Sequence, residues 1–294
     1  MNNYLFDQIN QKLIKLQSQL KIIGVGFFLV VCGLIYYLTI SDQINLILMV
    51  TLISVVLLFL VILLISMIKT HKEVKIFTKE ILLPELIRQI NSDLLVQNKL
   101  FIKDEALDSY FIHKSGSFKS TNIIADSKQS EFAFVSNYIS NGQSPQEIFS
   151  GTYLSLKLAN HYDDMVQIRI KGKPNKNKQN YLTIKKITND WTEQINQYEQ
   201  LSFFASNEQK FTELVTNDMV SLFKELNDLL PKGKIIMTIY KNKCIIGVHD
   251  RYNYNSHALF KQFSEQSLKG KVNHLTMINT IINKTKAYIN KNEL

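Results

Sequence analysis

Residues 22–40, IIGVGFFLVVCGLIYYLTI, and residues 44–68, INLILMVTLISVVLLFLVILLISMI, decide the architecture of this 294-residue chain. Asp42 is the only charged residue between positions 22 and 68. At 1.5 Å rise per residue, each run is roughly 28 Å or more as a helix, the thickness of a bilayer's hydrocarbon core. Only Ser41, Asp42 and Gln43 separate them clearly. The expected fold therefore begins with a tight antiparallel transmembrane hairpin. A secretory leader would have a shorter apolar stretch ending at a small-x-small cleavage site, and the sequence has neither.

The flanks set the expected orientation. Lys12, Lys15 and Lys21 precede the first run, and Lys69, Lys72, Lys75 and Lys79 follow the second, whereas the short connection has no Lys or Arg. The positive-inside rule then places both termini in the cytoplasm of a cell (plasma) membrane protein with two spans. Neither span holds an Asp, Glu, Lys, Arg or His, as ion paths and proton relays normally require. Thr51, Ser54 and Ser66 can bond to their own helix backbone, and Gly24, Gly26 and Gly33 lack G-x-x-x-G spacing. The pair reads as an anchor. Cys32 and Cys244, the only two cysteines, show no disulfide framework.

Outside this block the sequence mixes polar and apolar residues, and the organisation expected is five segments. Residues 1–21 form an N-terminal cytoplasmic segment and 22–68 the transmembrane hairpin. Residues 69–98 form an amphipathic connecting helix, 99–274 a cytoplasmic α+β domain, and 275–294 a basic C-terminal helix. In the connecting helix Val74, Phe77, Ile81, Leu82, Leu86, Ile90 and Leu94 recur at helical steps. Pro84 should kink it or lie near a helix restart. Alternation at Leu154–Leu156–Leu158, Val166–Ile168–Ile170 and Leu182–Ile184 predicts half-buried strands. Residues 131–139 are a further strand candidate, and residues 171–180 (KGKPNKNKQN) read as an exposed loop.

Ser206-Asn207-Glu208-Gln209 has the form of a capping box, with Ser206 as the cap. A helix follows through Phe211, Leu214 and Val215, with a break at Thr216-Asn217, and continues from Met219 to Leu230 before Pro231 and Gly233. Ile235, Met237 and Ile239 alternate into a strand, which Lys241-Asn242-Lys243 turns towards Cys244, Ile246 and Val248. Helical patterns near residues 256–268 and 275–289 close the chain. The expected class is α+β, with mainly antiparallel pairing and flanking helices.

This order of features resembles the bacterial family catalogued as domain of unknown function 3137. The resembling stretches are residues 111–118 (FIHKSGSF), 147–158 (EIFSGTYLSLKL), 201–222 (LSFFASNEQKFTELVTNDMVSL) and 235–249 (IIMTIYKNKCIIGVH). The resemblance implies a membrane-anchored cytoplasmic domain and supplies no catalytic residue.

No phosphate-binding glycine loop, H-E-x-x-H, C-x-x-C or G-x-S-x-G motif is present. His161-Tyr162-Asp163-Asp164 contains metal-ligand residue types, but its position between two strands predicts a polar turn. His249, Asp250 and His257, with Arg251, Tyr252 and Tyr254, form a second loose group that a strand end and polar loop explain more simply. Cys244 alternates with apolar neighbours and reads as a buried, inert thiol. Trp191, the single tryptophan, reads as a packing residue. No catalytic, cofactor-binding or metal residue and no cofactor is assigned.

Basic charge is the remaining signal. Lys171, Lys173, Lys176 and Lys178 put four charges in ten residues and are the candidates for contact with an anionic membrane surface. Lys269, Lys271, Lys284, Lys286 and Lys291 follow near the C-terminus, where the isoleucines of the last helix offer a face for the membrane interface. Only Arg88, Arg169 and Arg251 are arginines, whereas 26 residues are asparagine. That mix reflects AT-rich coding more than phosphate recognition, and nucleic acid is not an expected partner. The sequence thus points to a non-enzymatic module at the inner face of the membrane that binds another protein or self-associates. The alternatives are an enzyme of unrecognised type, with the 249–257 loop as its first suspect, and an anionic-lipid sensor.

Overall fold

The computed structural model describes residues 3–40, 46–101, 103–109, 116–127, 130–140, 142, 144–170, 184–188, 192, 201–230, 234–250, 264–292 and 294. The chain forms two compact units, Met1–Glu85 with Asn255–Lys269, and Leu86–Tyr254 with Gly270–Leu294.

In the first unit, helix α1 spans Asn3–Ile40 and α2 spans Leu46–Phe77. Both contain a stretch long and apolar enough to cross a membrane, because the side chains of residues 22–40 and 46–68 are apolar all round rather than along one stripe. Phe28, Tyr36, Leu58 and Ile65 are at least 60% exposed. The two helices lie against each other, with Lys12 Nζ 2.7 Å from Glu73 Oε2. The short connection that the sequence reading places at residues 41–43 lies outside the described residues.

The connecting helix is shorter than its periodicity suggests. Helix α2 runs on to Phe77, a π-turn covers Thr78–Leu82, and α3 spans Leu83–Ile90. Pro84 falls in the first turn of α3, where a missing N–H costs nothing, and the widened turn before it absorbs the ring. The Leu83 N–H bonds to the Thr78 carbonyl. Beyond Ile90 the helix stops. Asn91 Oδ1 accepts from the Asp93 N–H at 3.0 Å, and strand β1 (Leu95–Leu100) follows, so residues 95–97 are extended rather than helical.

The second unit is an α+β domain built on a mainly antiparallel sheet, as the alternation predicts. After β1 come α4 (Lys103–Asp108), β2 (Ser117–Ser120), β3 (Asn122–Ala125) and β4 (Ser130–Ser140). Next are β5 (Pro145–Ile170), β6 (Lys185–Lys186) and β7 (Leu201–Ala205). Helices α5 (Glu208–Leu214) and α6 (Asn217–Asp228), strand β8 (Lys234–His249) and helix α7 (Glu265–Lys291) complete it. The sheet order is β1-β3-β4-β5-β7-β6, with β2 on β4 and β8 along β5.

Strand β5 is the spine. Its first half pairs with β4 and its second half with β7, while β8 follows it along both halves. Residues 161–164, expected as a turn, lie inside this strand. Between the Lys157↔Lys243 and Val166↔Ile239 pairs, β5 advances nine residues and β8 only four. The surplus bulges outward and presents His161 and Asp163 to solvent. A polar run is therefore accommodated without reversing the chain. Residues 241–243 are likewise interior to β8, where Lys241 adopts a left-handed φ of 54° beside the bulge instead of closing a hairpin. Where β5 and β8 approach most closely stands Gly151. A Cβ there would lie 1.9 Å from the Val248 carbonyl oxygen, so only glycine fits.

The caps also differ from the capping box. Asn207 caps α5, its Oδ1 accepting from Gln209 N at 2.9 Å and from Lys210 N at 3.4 Å. Ser206 joins the sheet instead, donating to Asp164 Oδ1 and accepting from Met165 N, each at 2.9 Å. Thr216 caps α6 at the expected break, accepting from Met219 N at 3.2 Å.

Ile278, Ile281, Ile282 and Ile289 of α7 are buried. Within the second unit this helix reaches Asn91 through Asn279, Thr216 through Tyr288, and Thr152 through His274. Its isoleucines serve the domain core, not a membrane interface.

Candidate functional site

Strand register brings β1, β3, β4, β5 and β8 level at one end of the sheet. A cleft of about 290 Å³ opens there, lined by Gln97, Asp126, Glu131, Ser155, Lys157 and Lys243 among others. Glu131 stands opposite Ser155, and Lys157 opposite Lys243. Like charges facing across a strand pair repel, and the Glu131 carboxylate, 4.0 Å from Lys243 Nζ, offsets that repulsion. Lys286 of α7 pairs with the buried Asp126 on another wall. Acid, base and hydroxyl on one lining suit a small polar or zwitterionic group, or the polar side chains of a partner.

A second polar group lies where β8 ends. Asp250 Oδ2 is 3.3 Å from His274 Nδ1, though not aligned as a hydrogen bond, and His274 Nε2 is 3.5 Å from Thr152 Oγ1. The order Asp–His–Thr is that of a nucleophilic triad. Its burial argues for another role, since Thr152 is 0% exposed and Oγ1 has no route to a substrate. Burial, and then the Lys271 ammonium, push the His274 imidazole down to about 4, so the ring is neutral at neutral pH. Burial also lowers the Lys271 ammonium to about 8. The cluster fixes α7 against β5 and the end of β8.

The residues suspected from sequence are divided by strand alternation. His249 contacts Glu147 at 3.3 Å and meets the Phe149 ring edge-on, with Tyr138 donating to the other oxygen of Glu147 at 3.2 Å. Asp250 engages His274 instead. The two neighbours thus enter separate constellations. His257, Arg251, Tyr252, Tyr254, Trp191 and the candidate surface lysines Lys171, Lys173, Lys176 and Lys178 lie outside the described residues. His161 and Asp163 face each other at 3.3 Å on the exposed bulge. Among the described residues no three His, Cys, Asp or Glu side chains gather as a metal site. Cys244 is buried, and burial pushes its thiol up to about 12, which leaves it inert as expected.

Four of the five C-terminal lysines are engaged within the domain, and Lys269 is exposed. Lys284 pairs with Glu225, Lys286 with Asp126 and Lys291 with Asp218, while Lys271 is buried. Sequence reasoning missed His274 and Thr152 because they are 122 residues apart. The available signal was the i, i+3 spacing of Lys271 and His274 on the apolar side of a helix.

No protein-family model matches the chain, and no curated protein matches it. Among solved structures, the mycobacterial trehalose monomycolate transport factor A, TtfA, is similar over 72% of this chain and 95% of its own, at 10% sequence identity and a TM-score of 0.35. A likeness of that size transfers neither fold nor activity to this chain.

Proposed function

We propose that this chain is a membrane-anchored interaction module. In this reading α1 and α2 form a two-span hairpin with both termini in the cytoplasm, and the α+β domain binds another protein or assembles a complex at the inner face. The supporting observation is the exposure of large apolar side chains along both helices, with no Asp, Glu, Lys, Arg or His in residues 22–40 or 44–68. Such a surface is stable only in hydrocarbon, and a pair without charges inside it is an anchor rather than a conduit. The resemblance to the domain of unknown function 3137 family belongs to the same proposal and implies the same arrangement.

The test has two parts. A cysteine replacing Ser41, in a Cys32→Ser background, should react with a membrane-impermeant maleimide in intact cells, and one replacing Ser264 only after permeabilisation. Crosslinking in native membranes, followed by purification and mass spectrometry, should then recover a stoichiometric partner that is absent when residues 99–294 are deleted. Labelling of position 264 from outside would overturn the orientation. Failure to recover either a partner or a self-crosslink would overturn the interaction reading.

A surface-sensing role is kept for Lys171, Lys173, Lys176 and Lys178, because Lys284, Lys286 and Lys291 of the last helix pair with carboxylates of the domain. Reversing those four charges should abolish binding of the full chain's cytoplasmic face to anionic vesicles if that role is real. The enzymatic alternative keeps the 249–257 loop as its first suspect; of that loop only His249 and Asp250 are described, and they serve different contacts.

A further inference from the structure

Two buried side chains on the second half of β5 each leave one polar atom without a hydrogen bond. Gln167 is 0% exposed and Arg169 5%. Residues two apart on a strand share a face, roughly 7 Å from each other. The Gln167 amide has a defined orientation, because Nε2 donates to the Ser109 carbonyl at 3.1 Å and to Thr238 Oγ1 at 2.9 Å. A carbonyl only accepts, so Nε2 must face it and Oε1 is the atom left over. That Oε1 is buried without a hydrogen bond, and so is Arg169 Nε. Among the described residues no carboxylate lies within ion-pair distance of Arg169.

The surroundings are largely apolar, with Ser202 opposite Arg169 on β7 and Thr238 opposite Gln167 on β8 as the polar cross-strand neighbours. Arg169 stands opposite Ile236, which packs on the cluster of Phe101, Ile123, Val135 and Tyr153. Gln167 stands opposite Phe204, which packs with Met165 and Ile184. Taking a guanidinium out of water without a counter-charge is strongly unfavourable. A leucine or methionine would fill the same space without that cost. Burial accordingly lowers the Arg169 pKa to about 10.

We propose that Arg169 and Gln167 form the floor of a binding site for a small oxyanion that also carries an O–H or N–H. The anionic oxygens accept from the guanidinium, whose fork matches phosphate and carboxylate geometry. The ligand's own hydrogen is donated to Gln167 Oε1. Monohydrogen phosphate and an α-amino carboxylate both meet this description. The site is separate from the protein-binding role and does not depend on it.

The test uses the full chain in lipid nanodiscs at constant ionic strength. Inorganic phosphate and glycine are titrated in turn against sodium chloride, with Tm and equilibrium dialysis as readouts. One of the two should bind saturably and raise Tm with the logarithm of its concentration, and which one does so assigns the ligand class. Arg169→Met replaces the buried charge with an apolar chain of similar length and should fold. It should weaken binding by about ten- to a hundredfold, the range for a charge-assisted hydrogen bond. Arg169→Lys should recover part of the binding. The proposal is overturned if neither anion acts beyond chloride, or if Arg169→Met binds as tightly as the natural chain. A marked fall in stability of Arg169→Met without any anion response would also overturn it, because that result requires a carboxylate of the chain itself as the partner.

Discussion

The buried imidazole of His274 makes a quantitative prediction about acid stability. Its pKa is about 4 in the folded chain against 6.5 for an ordinary histidine, chiefly through burial and secondarily through Lys271. Between those values the unfolded chain takes up a proton that the folded chain refuses. The unfolded state then binds more protons, so stability rises with pH across this window. The contribution is fully present above pH 6.5 and is lost as pH falls towards 4. Two and a half pH units at 1.36 kcal/mol each give a loss of about 3 kcal/mol. The side chain is only 7% exposed, so solvent screening does not reduce this figure much. The assay is urea unfolding of the detergent-solubilised full chain, followed by the fluorescence of its single tryptophan, at steps from pH 7 to 4. Carboxylates titrate in the lower half of that range, so His274→Gln, neutral throughout, is the reference. The stability difference between the two proteins should change by about 3 kcal/mol across the window, with the natural chain losing more. Lys271→Met removes the nearby positive charge and should narrow that change. Parallel pH curves for the natural chain and His274→Gln would show that the ring titrates normally and would refute the reasoning.

Other substitutions probe the fold that holds these groups. Gly151→Ala drives a Cβ to 1.9 Å from the Val248 carbonyl oxygen and must separate β5 from β8. It should cost about 3 kcal/mol or more, seen as a large fall in Tm, and a wild-type Tm would mean the strands are not in this register. Asn207→Ala should destabilise α5 by about 1 kcal/mol and speed hydrogen exchange at Gln209 and Lys210. Ser206→Ala should leave those amides protected; loss of protection there instead would restore Ser206 as the cap. Cys244 should resist thiol reagents in the folded Cys32→Ser chain up to about pH 10 and react only on unfolding, as read by intact mass, because its thiol is buried and raised to about 12. Rapid labelling at pH 8 under native conditions would contradict that burial.

What was legible in the sequence was what local pattern controls. Period-two alternation located both halves of β5 and β8, and a less regular pattern located β4, although both faces of these strands are largely buried. The apolar runs located α1 and α2 for a similarly local reason. Pattern failed where long-range pairing overrides composition. Residues 161–164 and 241–243 look like turns, yet they sit beside each other across two long strands, where a bulge accommodates the surplus. The helical step through Leu94 failed because Asn91 ends the helix with a side-chain-to-backbone bond that periodicity does not register. The candidate polar groups were hidden for the same reason. Thr152, Asp250 and His274 meet only after the sheet and α7 have formed, and Gln167 beside Arg169 looks like the solvent face of an alternating strand until α4 covers it.

The net charge of +9 is then less informative than its placement. A basic chain tethered under an anionic leaflet invites an electrostatic account, in which each lysine that reaches the surface adds roughly 1 kcal/mol of attraction. Three lysines of α7 are held by Glu225, Asp126 and Asp218, and a fourth is buried at 6% exposure. Releasing a lysine such as Lys286 to the membrane would leave Asp126, whose side chain is 6% exposed, without that partner. Asp126 keeps its bond from the Ser130 N–H at 2.9 Å, but breaking a partly buried ion pair costs more than the roughly 1 kcal/mol of surface attraction returns. Lys286 therefore favours cohesion of the domain over adsorption, and a charge reversal there should lower Tm before it alters membrane contact. Equal Tm with reduced vesicle binding in Lys286→Glu would invert this order and return the last helix to the membrane surface.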